Sequence, residues 1–284
     1  MKAYMGCAGE ISEVELERYE DTGEWIAEPK RDGIWGVCVS NGSQRFFSRP
    51  GKEKEIALPS LPSGTISVGE LGYGSQEACL RRDKLGHDFM DVYDLLEVDG
   101  RNIESMDDND RRKLLEDTWS AWTPVLQKHF LLNPRWDSEF RKHYEEVPEG
   151  LILKRVKGRP EHPYRRGTRN PYWVKVKKQF TVDMVIMDYE LSDADSYKGK
   201  NIAKNIGCGV FKDGKLVKLV NVGNFDVRLK LDIVAKWSQY KGAVVELKTY
   251  KVFKSGSLRH PSVVRVRDDK LPEECVWEDL MKFV

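Results

Sequence analysis

A lysine-centred hinge, Lys30-Arg31-Asp32-Gly33, separates two strand patterns and fixes much of what this chain can fold into. Trp25, Ile26 and Ala27 lead into it, and Ile34, Trp35, Val37 and Val39 follow with partial alternation. Residues 24–40 are therefore expected to form two strands that bend at Asp32-Gly33. Such a bend commits the chain to a strand-rich domain in which the lysine sits where the backbone changes direction.

The next segments extend the same organisation. Residues 65–71, 88–95, 149–155 and 172–177 read as strands. Residues 107–127 read as a helix with Leu114, Leu115, Trp119 and Trp122 near one face. Asp107 or Asn109 is expected to cap it, and Pro124 to end or kink it. After Lys178 the pattern changes to short strands at 182–189, 207–211, 215–220, 243–253 and 262–267. Lys212-Asp213-Gly214-Lys215 has the composition of a hairpin turn. One helix interrupts them at 225–240, with Val227, Leu231, Val234 and Trp237 as the expected apolar stripe and Gly242 as its stop. Five strands and one helix make the inventory of an OB-type Greek-key barrel. The expectation is an α+β chain of two domains, residues 1–179 and 180–284.

Composition narrows the class without naming a partner. The chain has 284 residues, 40% of them hydrophobic, enough to bury a core. A third of the residues are charged, yet the formal net charge is +1, so only local charge can speak for nucleic acid. No apolar run is long enough to span a bilayer and no leader-like segment opens the chain, so a cytoplasmic protein without a membrane partner is expected. The five cysteines are scattered without a Cys-x-x-Cys pair, which argues against a disulfide framework and a zinc module. No Gly-x-x-x-x-Gly-Lys-Ser/Thr loop is present, so any nucleotide is not held in the P-loop manner.

Several segments suit lysine-based phosphate chemistry. Lys30 attacks only as a neutral amine, and a free lysine titrates near ~10.4. Burial and neighbouring cations would activate it. Lys175 and Lys177 alternate on one strand, point to the same face and are candidates for those cations. Glu149 opens an otherwise apolar strand and is the best candidate ligand for Mg²⁺ or Mn²⁺.

In order and spacing the chain resembles the covalent nucleotidyltransferases, and among them the small viral and phage ATP-dependent DNA ligases. Glu28-x-Lys30-x-Asp32-Gly33, Ser48-Arg49-Pro50-Gly51-Lys52, Gly69-Glu70-Leu71, Tyr93-Asp94-Leu95-Leu96, Glu149-Gly150 and Lys175-x-Lys177 match the family's blocks in sequence. Leu258-Arg259-His260-Pro261 and Arg267-Asp268-Asp269-Lys270 resemble its final motif. One departure stands out: such ligases usually carry arginine two residues after the first motif's glycine, and this chain has Trp35 there.

The resemblance implies a nucleotidyltransferase (adenylation) domain of antiparallel sheets with flanking helices, followed by an OB-fold barrel, in a minimal two-domain enzyme without a preceding helical DNA clamp. It implies ATP as substrate, with Lys30 forming a lysyl-AMP adduct. Glu70 would grip the ribose, Tyr93 would stack on adenine, and Glu28 would lie near the adenine amino group. Lys175 and Lys177 would meet the nucleotide's α-phosphate, Arg49 would take part of the nucleotide contact that the missing arginine leaves, and Arg267 and Lys270 would orient pyrophosphate. Nicked duplex DNA is the implied partner, and a monomer in the cytoplasm (the host's, if viral) the implied setting.

The stretch from Lys154 to Lys178 holds ten Lys or Arg against the single acid Glu161. Lys154, Arg155, Arg165, Arg166 and Arg169 are accordingly expected to bind DNA phosphates without sequence preference. An RNA ligase or a capping-type guanylyltransferase would use the same lysine chemistry. A non-catalytic nucleic-acid end-binding protein is the reading from a different class, and Trp35 is the residue that supports it.

Overall fold

The computed structural model describes residues 4–72, 89–193 and 201–284. Residue 88, the start of one expected strand, and Cys79, one of the five cysteines, lie outside these residues. The contacts divide the chain into two compact units, Met1–Lys177 and Lys178–Val284.

The first unit holds strands β1 (Gly6–Ile11), β2 (Trp25–Pro29), β3 (Ile34–Asn41), β4 (Ser43–Ser48), β5 (Glu53–Lys54), β6 (Thr65–Gly72), β7 (Phe89–Val98), β8 (Arg101–Asn102), β9 (Phe130–Leu132), β10 (Gly150–Arg155) and β11 (Arg169–Lys177). Its helices are α1 (Leu16–Asp21), α2 (Asp108–Ser120), α3 (Pro124–His129) and α4 (Phe140–Glu146). One sheet runs β1-β11-β10-β2, with β1 parallel to β11 and the other pairs antiparallel. The other runs β5-β4-β3-β6-β7-β8, with β9 joined parallel to β7.

Alternation along β3 explains how these sheets pack. Trp35 and Val37 face a core shared with Phe47, Val68, Leu96 and Trp173 of β11. Cys38 faces the opposite core, with Leu71, Met90 and Leu95 under Leu115 and Leu126 of the helices and Trp122 between them. A third core joins Leu151, Leu153, Val174 and Val176 to Leu16, Phe140 and Tyr144. Because β2 and β3 belong to different sheets, residues 30–33 carry the chain from one to the other.

The helical segment divides in two. Asp107 caps α2 by accepting the Asn109 N–H at 3.0 Å, and α3 starts afresh with Pro124 in its first turn behind the Thr123 cap. The buried face of α2 is less apolar than its leucines suggest, because Arg111 and Arg112 are buried there with Leu115. Asp94 accepts both Nε and Nη2 of Arg111, at 2.9 and 3.0 Å.

The second unit is a curled antiparallel sheet of β12 (Phe180–Leu191), β13 (Ala203–Lys212), β14 (Lys215–Val222), β15 (Val244–Thr249) and β16 (Ser262–Arg267). Their order is β14-β13-β12-β15-β16. Asn224, just past β14, bridges parallel to Ser262 of β16, which brings the two edges together in the strand order of an OB fold. Asp213 and Gly214 both take positive φ, as a two-residue hairpin turn requires.

The helix expected at residues 225–240 differs from expectation in two ways. It breaks at Lys236 into α5 (Val227–Ala235) and α6 (Trp237–Tyr240). Its core face carries Ile233, with Leu229, Val234 and Trp237 packed beside it, while Val227 and Leu231 are exposed. The i, i+4 row through Leu229, Ile233 and Trp237 outcompetes the expected stripe. The described cysteines Cys7, Cys38, Cys208 and Cys275 are free. Among the described residues, no helix is long and apolar enough to cross a membrane.

Candidate active site

Where β2 leaves its sheet, a cavity of about 330 Å³ opens in the first unit. Its lining includes Glu28, Lys30, Arg49, Glu70, Tyr93, Lys175 and Lys177, together with Trp35, Lys154 and Arg169. Backbone pairing explains this convergence. Lys30 N–H donates to Gly150 O at 2.9 Å, while Glu28 pairs with Ile152, and Ile152 with Lys175. Three sequence blocks thus lie side by side. From the other sheet, Glu70 sits opposite Trp35 on neighbouring strands. Gly33 permits this approach, because a Cβ there would lie 2.5 Å from Leu71 O and 2.7 Å from Glu70 Cγ.

Glu149 Oε2 accepts a hydrogen bond from the Lys30 ammonium. The cations expected to flank Lys30 have another partner. Glu10 Oε2 lies 3.4 Å from Lys175 Nζ and 3.2 Å from Lys177 Nζ.

The deepest part of the site is a charge network. Glu28 is 2% exposed and accepts from Arg135 Nε at 2.6 Å, Lys154 Nζ at 2.8 Å and Asn133 Nδ2 at 3.4 Å. Burial alone would raise its carboxyl, but Lys154, Arg135 and Arg112 overcome this and hold it at about 2. Burial lowers Lys154, with Glu28 opposing. The Lys154 ammonium lies 4.5 Å from the Trp173 ring centroid and 5.9 Å from that of Tyr93.

Glu70 behaves in the opposite way. Burial pushes its carboxyl up to about 8; Lys30 pulls it down, and Glu149, Asp32 and Asp91 push it further up. Carboxylate oxygens such as these are the ligands that a hard divalent cation takes. Among the described residues, however, no three His, Cys, Asp or Glu side chains converge as a ready-made metal centre.

The basic stretch does not form the continuous surface its composition suggests. Lys154 is 3% exposed, on the cavity floor rather than on a DNA-facing surface. Arg155 Nε donates to Glu24 at 2.8 Å, and Arg166 Nε to Glu104 at 2.9 Å. Arg159 is held by Asp107 and Asp108. Arg165, Arg166 and Arg169 are exposed.

Arg267 and Lys270 belong to the second unit. There Asp183 Oδ2 accepts from Arg267 Nη1 at 2.8 Å and from Lys270 Nζ at 2.9 Å, and Asp269 takes the rest of the guanidinium. Sequence reasoning missed Glu10, Asn133, Arg135 and Asp183. None stands in a motif, and only their distant partners reveal them.

No family model matches the chain. It is 24% identical over 316 residues to DNA ligase 1 of Korarchaeum cryptofilum, covering 90% of this chain and 55% of that protein. It is 26% identical over 306 residues to a DNA ligase of Methanocorpusculum labreanum, covering 88% and 53%. The chain thus spans about half the length of these relatives. Among solved structures, Pmar-Lig superposes with a TM-score of 0.71 at 18% identity, covering 94% of this chain and 68% of that one. A Lig E DNA ligase, described as binding DNA with a minimal scaffold, gives 0.66 at 18% identity, covering 93% and 98%. With these motifs in order on this fold, the chain is similar to DNA ligases in sequence and to solved ligases in fold.

Proposed function

We propose that the chain is an ATP-dependent DNA ligase sealing 5′-phosphate/3′-hydroxyl nicks through a lysyl-AMP intermediate. The observation that carries this reading is one cavity lined together by Lys30, Glu70, Tyr93, Lys175 and Lys177, of a size suited to a nucleotide. An ammonium cannot attack, so the Lys30–Glu149 pair must open and Lys30 must lose its proton. Lys30 Nζ then bonds to the α-phosphorus as the bond to pyrophosphate breaks. Lys175 and Lys177 balance the charge developing on the phosphoryl oxygens, after exchanging Glu10 for substrate. Tyr93 stacks on the adenine, Glu28 faces its amino group and Glu70 grips the ribose. Glu149 would hold Mg²⁺ or Mn²⁺, which would supply further neutralisation at the phosphates.

In the second step a 5′-phosphate oxygen of DNA attacks the adenylate phosphorus and the lysine amine leaves. In the third, the 3′-hydroxyl attacks the 5′-phosphorus and AMP leaves. Arg267 and Lys270 orient pyrophosphate after leaving Asp183. Arg165 and Arg169, with Arg155 and Arg166 where their acid partners yield, meet the phosphates of nicked duplex DNA. The protein works as a cytoplasmic monomer with residues 1–179 and 180–284 as its two domains.

The test is retention of label after denaturation, with α-labelled ATP or GTP and Mg²⁺. Label from ATP that is lost in Lys30→Ala is the expected result. Label from GTP indicates capping, and no label from either supports binding without catalysis. Sealing of all-DNA nicks against nicks with an RNA strand identifies the polynucleotide.

A further inference from the structure

Trp35 stands where related ligases usually have arginine, and its indole takes part in a three-residue stack beside the cavity. Its ring meets Tyr4 edge to face, with centroids 5.4 Å apart and planes at 81°. On Tyr4, in turn, lies the guanidinium of Arg49, with Cζ 3.7 Å from the ring centroid. All three residues line the cavity. Tyr4 is held from its other sides as well. Its ring rests against the backbone of β1, where a Cβ on Gly6 would come within 2.1 Å of Tyr4 Oη. Its carbonyl accepts the Gly167 N–H at 2.7 Å.

This arrangement leaves Arg49 useful. A guanidinium held over a ring rather than against a carboxylate keeps N–H groups for a ligand, and paired N–H groups are what grip a phosphate. Arg49 is exposed and makes no ion pair among the described residues. An indole at position 35 cannot supply charge, but it can supply the T-shaped contact that fixes the ring under a neighbouring cation.

We infer that Trp35 is a positioning residue which, through Tyr4, fixes Arg49 as a phosphate-binding cation of the cavity. The inference rests on the ligase reading for the identity of that phosphate, which belongs either to ATP or to the 5′ end of the nick. Trp35 therefore offsets the missing arginine by orienting another one.

Two arms separate the phosphate sources. One follows adduct formation against ATP concentration; the other follows sealing by pre-adenylylated protein against nick concentration. In one arm, Trp35→Leu and Tyr4→Leu should each raise the half-saturating concentration about tenfold, the scale of losing an aromatic pair and a cation–π contact together. Trp35→Phe should recover most of that loss, which also guards against misfolding of the leucine variant. The deciding measurement is the double-mutant cycle: in an Arg49→Ala background, Trp35→Leu should change nothing further. Effects that simply add, or that are absent from both arms, would overturn the inference. Wild-type protein forming no adduct would instead sink the ligase reading. The same cycle is then read from binding of duplexes nicked with a 5′-phosphate or a 5′-hydroxyl. Preference for the phosphate that Trp35→Leu and Arg49→Ala reduce non-additively upholds the inference, and additive loss or no preference overturns it.

Discussion

Lys154 and Arg165 belong to one basic stretch of sequence and have opposite fates. Lys154 is buried against Glu28, over the Trp173 ring, with burial opposing its charge. Arg165 is exposed. The difference lies in partners rather than in composition. Lys154 sits on a central strand whose neighbour β2 presents a carboxylate at the matching depth. Arg165 lies in the connection between β10 and β11, where nothing buries it. Positive charge counted along a chain therefore does not measure positive surface.

The largest expected effect breaks this comparison at its buried end. Glu28→Ala leaves Lys154 and Arg135 close together without their shared carboxylate. It should cost about 3–5 kcal/mol in denaturant unfolding, the usual penalty for halving a buried ionic network. Arg165→Ala should stay within about 0.5 kcal/mol, as exposed positions do. Equal losses at the two sites would mean that the network is not what distinguishes them.

DNA binding sharpens the other end. Replacing Arg165 or Arg169 should each lower the slope of log affinity against log salt by about 1. Lys154→Met should leave that slope unchanged, because a buried lysine releases no counterion. A slope that falls with Lys154 but not with Arg165 would reverse the assignment.

A third contrast sets Glu28 against Glu70, two buried-site carboxyls shifted in opposite directions. Glu28 has a depressed folded value, so its contribution to stability is present above the unfolded value near ~4.3 and is lost as pH falls toward about 2. Glu70 has a raised value, so its contribution is present below ~4.3 and is lost as pH rises through about 8. Glu70→Gln should therefore flatten the decline in stability between those limits and leave the acid limb alone. An unchanged decline would show that Glu70 is not its source.

What the sequence made legible follows the same division. The hinge at Lys30, strands β2, β3, β10 and β11, and the strand inventory of the second unit could be read locally, since alternation and turn residues act over a few positions. Motif order was enough to bring Lys30, Glu70, Tyr93, Lys175 and Lys177 to one cavity. The partners were not legible. Arg135 lies 107 residues beyond Glu28, and no local pattern marks it as the other half of a buried pair. Nothing local marks Arg111 on α2 as buried; its partner Asp94, which accepts two of its N–H groups, lies 17 residues away. The face of α5 failed for a related reason: several apolar rows were available, and only packing against the barrel selects Ile233.

The smallest expected effect concerns Glu10, which joins Lys175 to Lys177 as Asp183 joins Arg267 to Lys270. The two bridges differ in tightness. Asp183 is 16% exposed, with both contacts under 3 Å, whereas Glu10 is 37% exposed, with contacts of 3.2 and 3.4 Å. Burial tends to raise the Glu10 carboxyl, yet Lys177 and Lys175 bring it below its usual range. Its contribution is thus present above the unfolded value and is lost as pH falls through the lowered one. Solvent screens a pair this open, so Glu10→Gln should cost under about 1 kcal/mol at low salt and nearly nothing at high salt. Asp183→Asn should cost more and depend less on salt, because its cations are held closer and drier. If Glu10 proves the costlier of the two, the lysine pair is locked rather than lightly held, and under the proposed ligase reading a nucleotide would have to displace a strong clamp to reach Lys175 and Lys177.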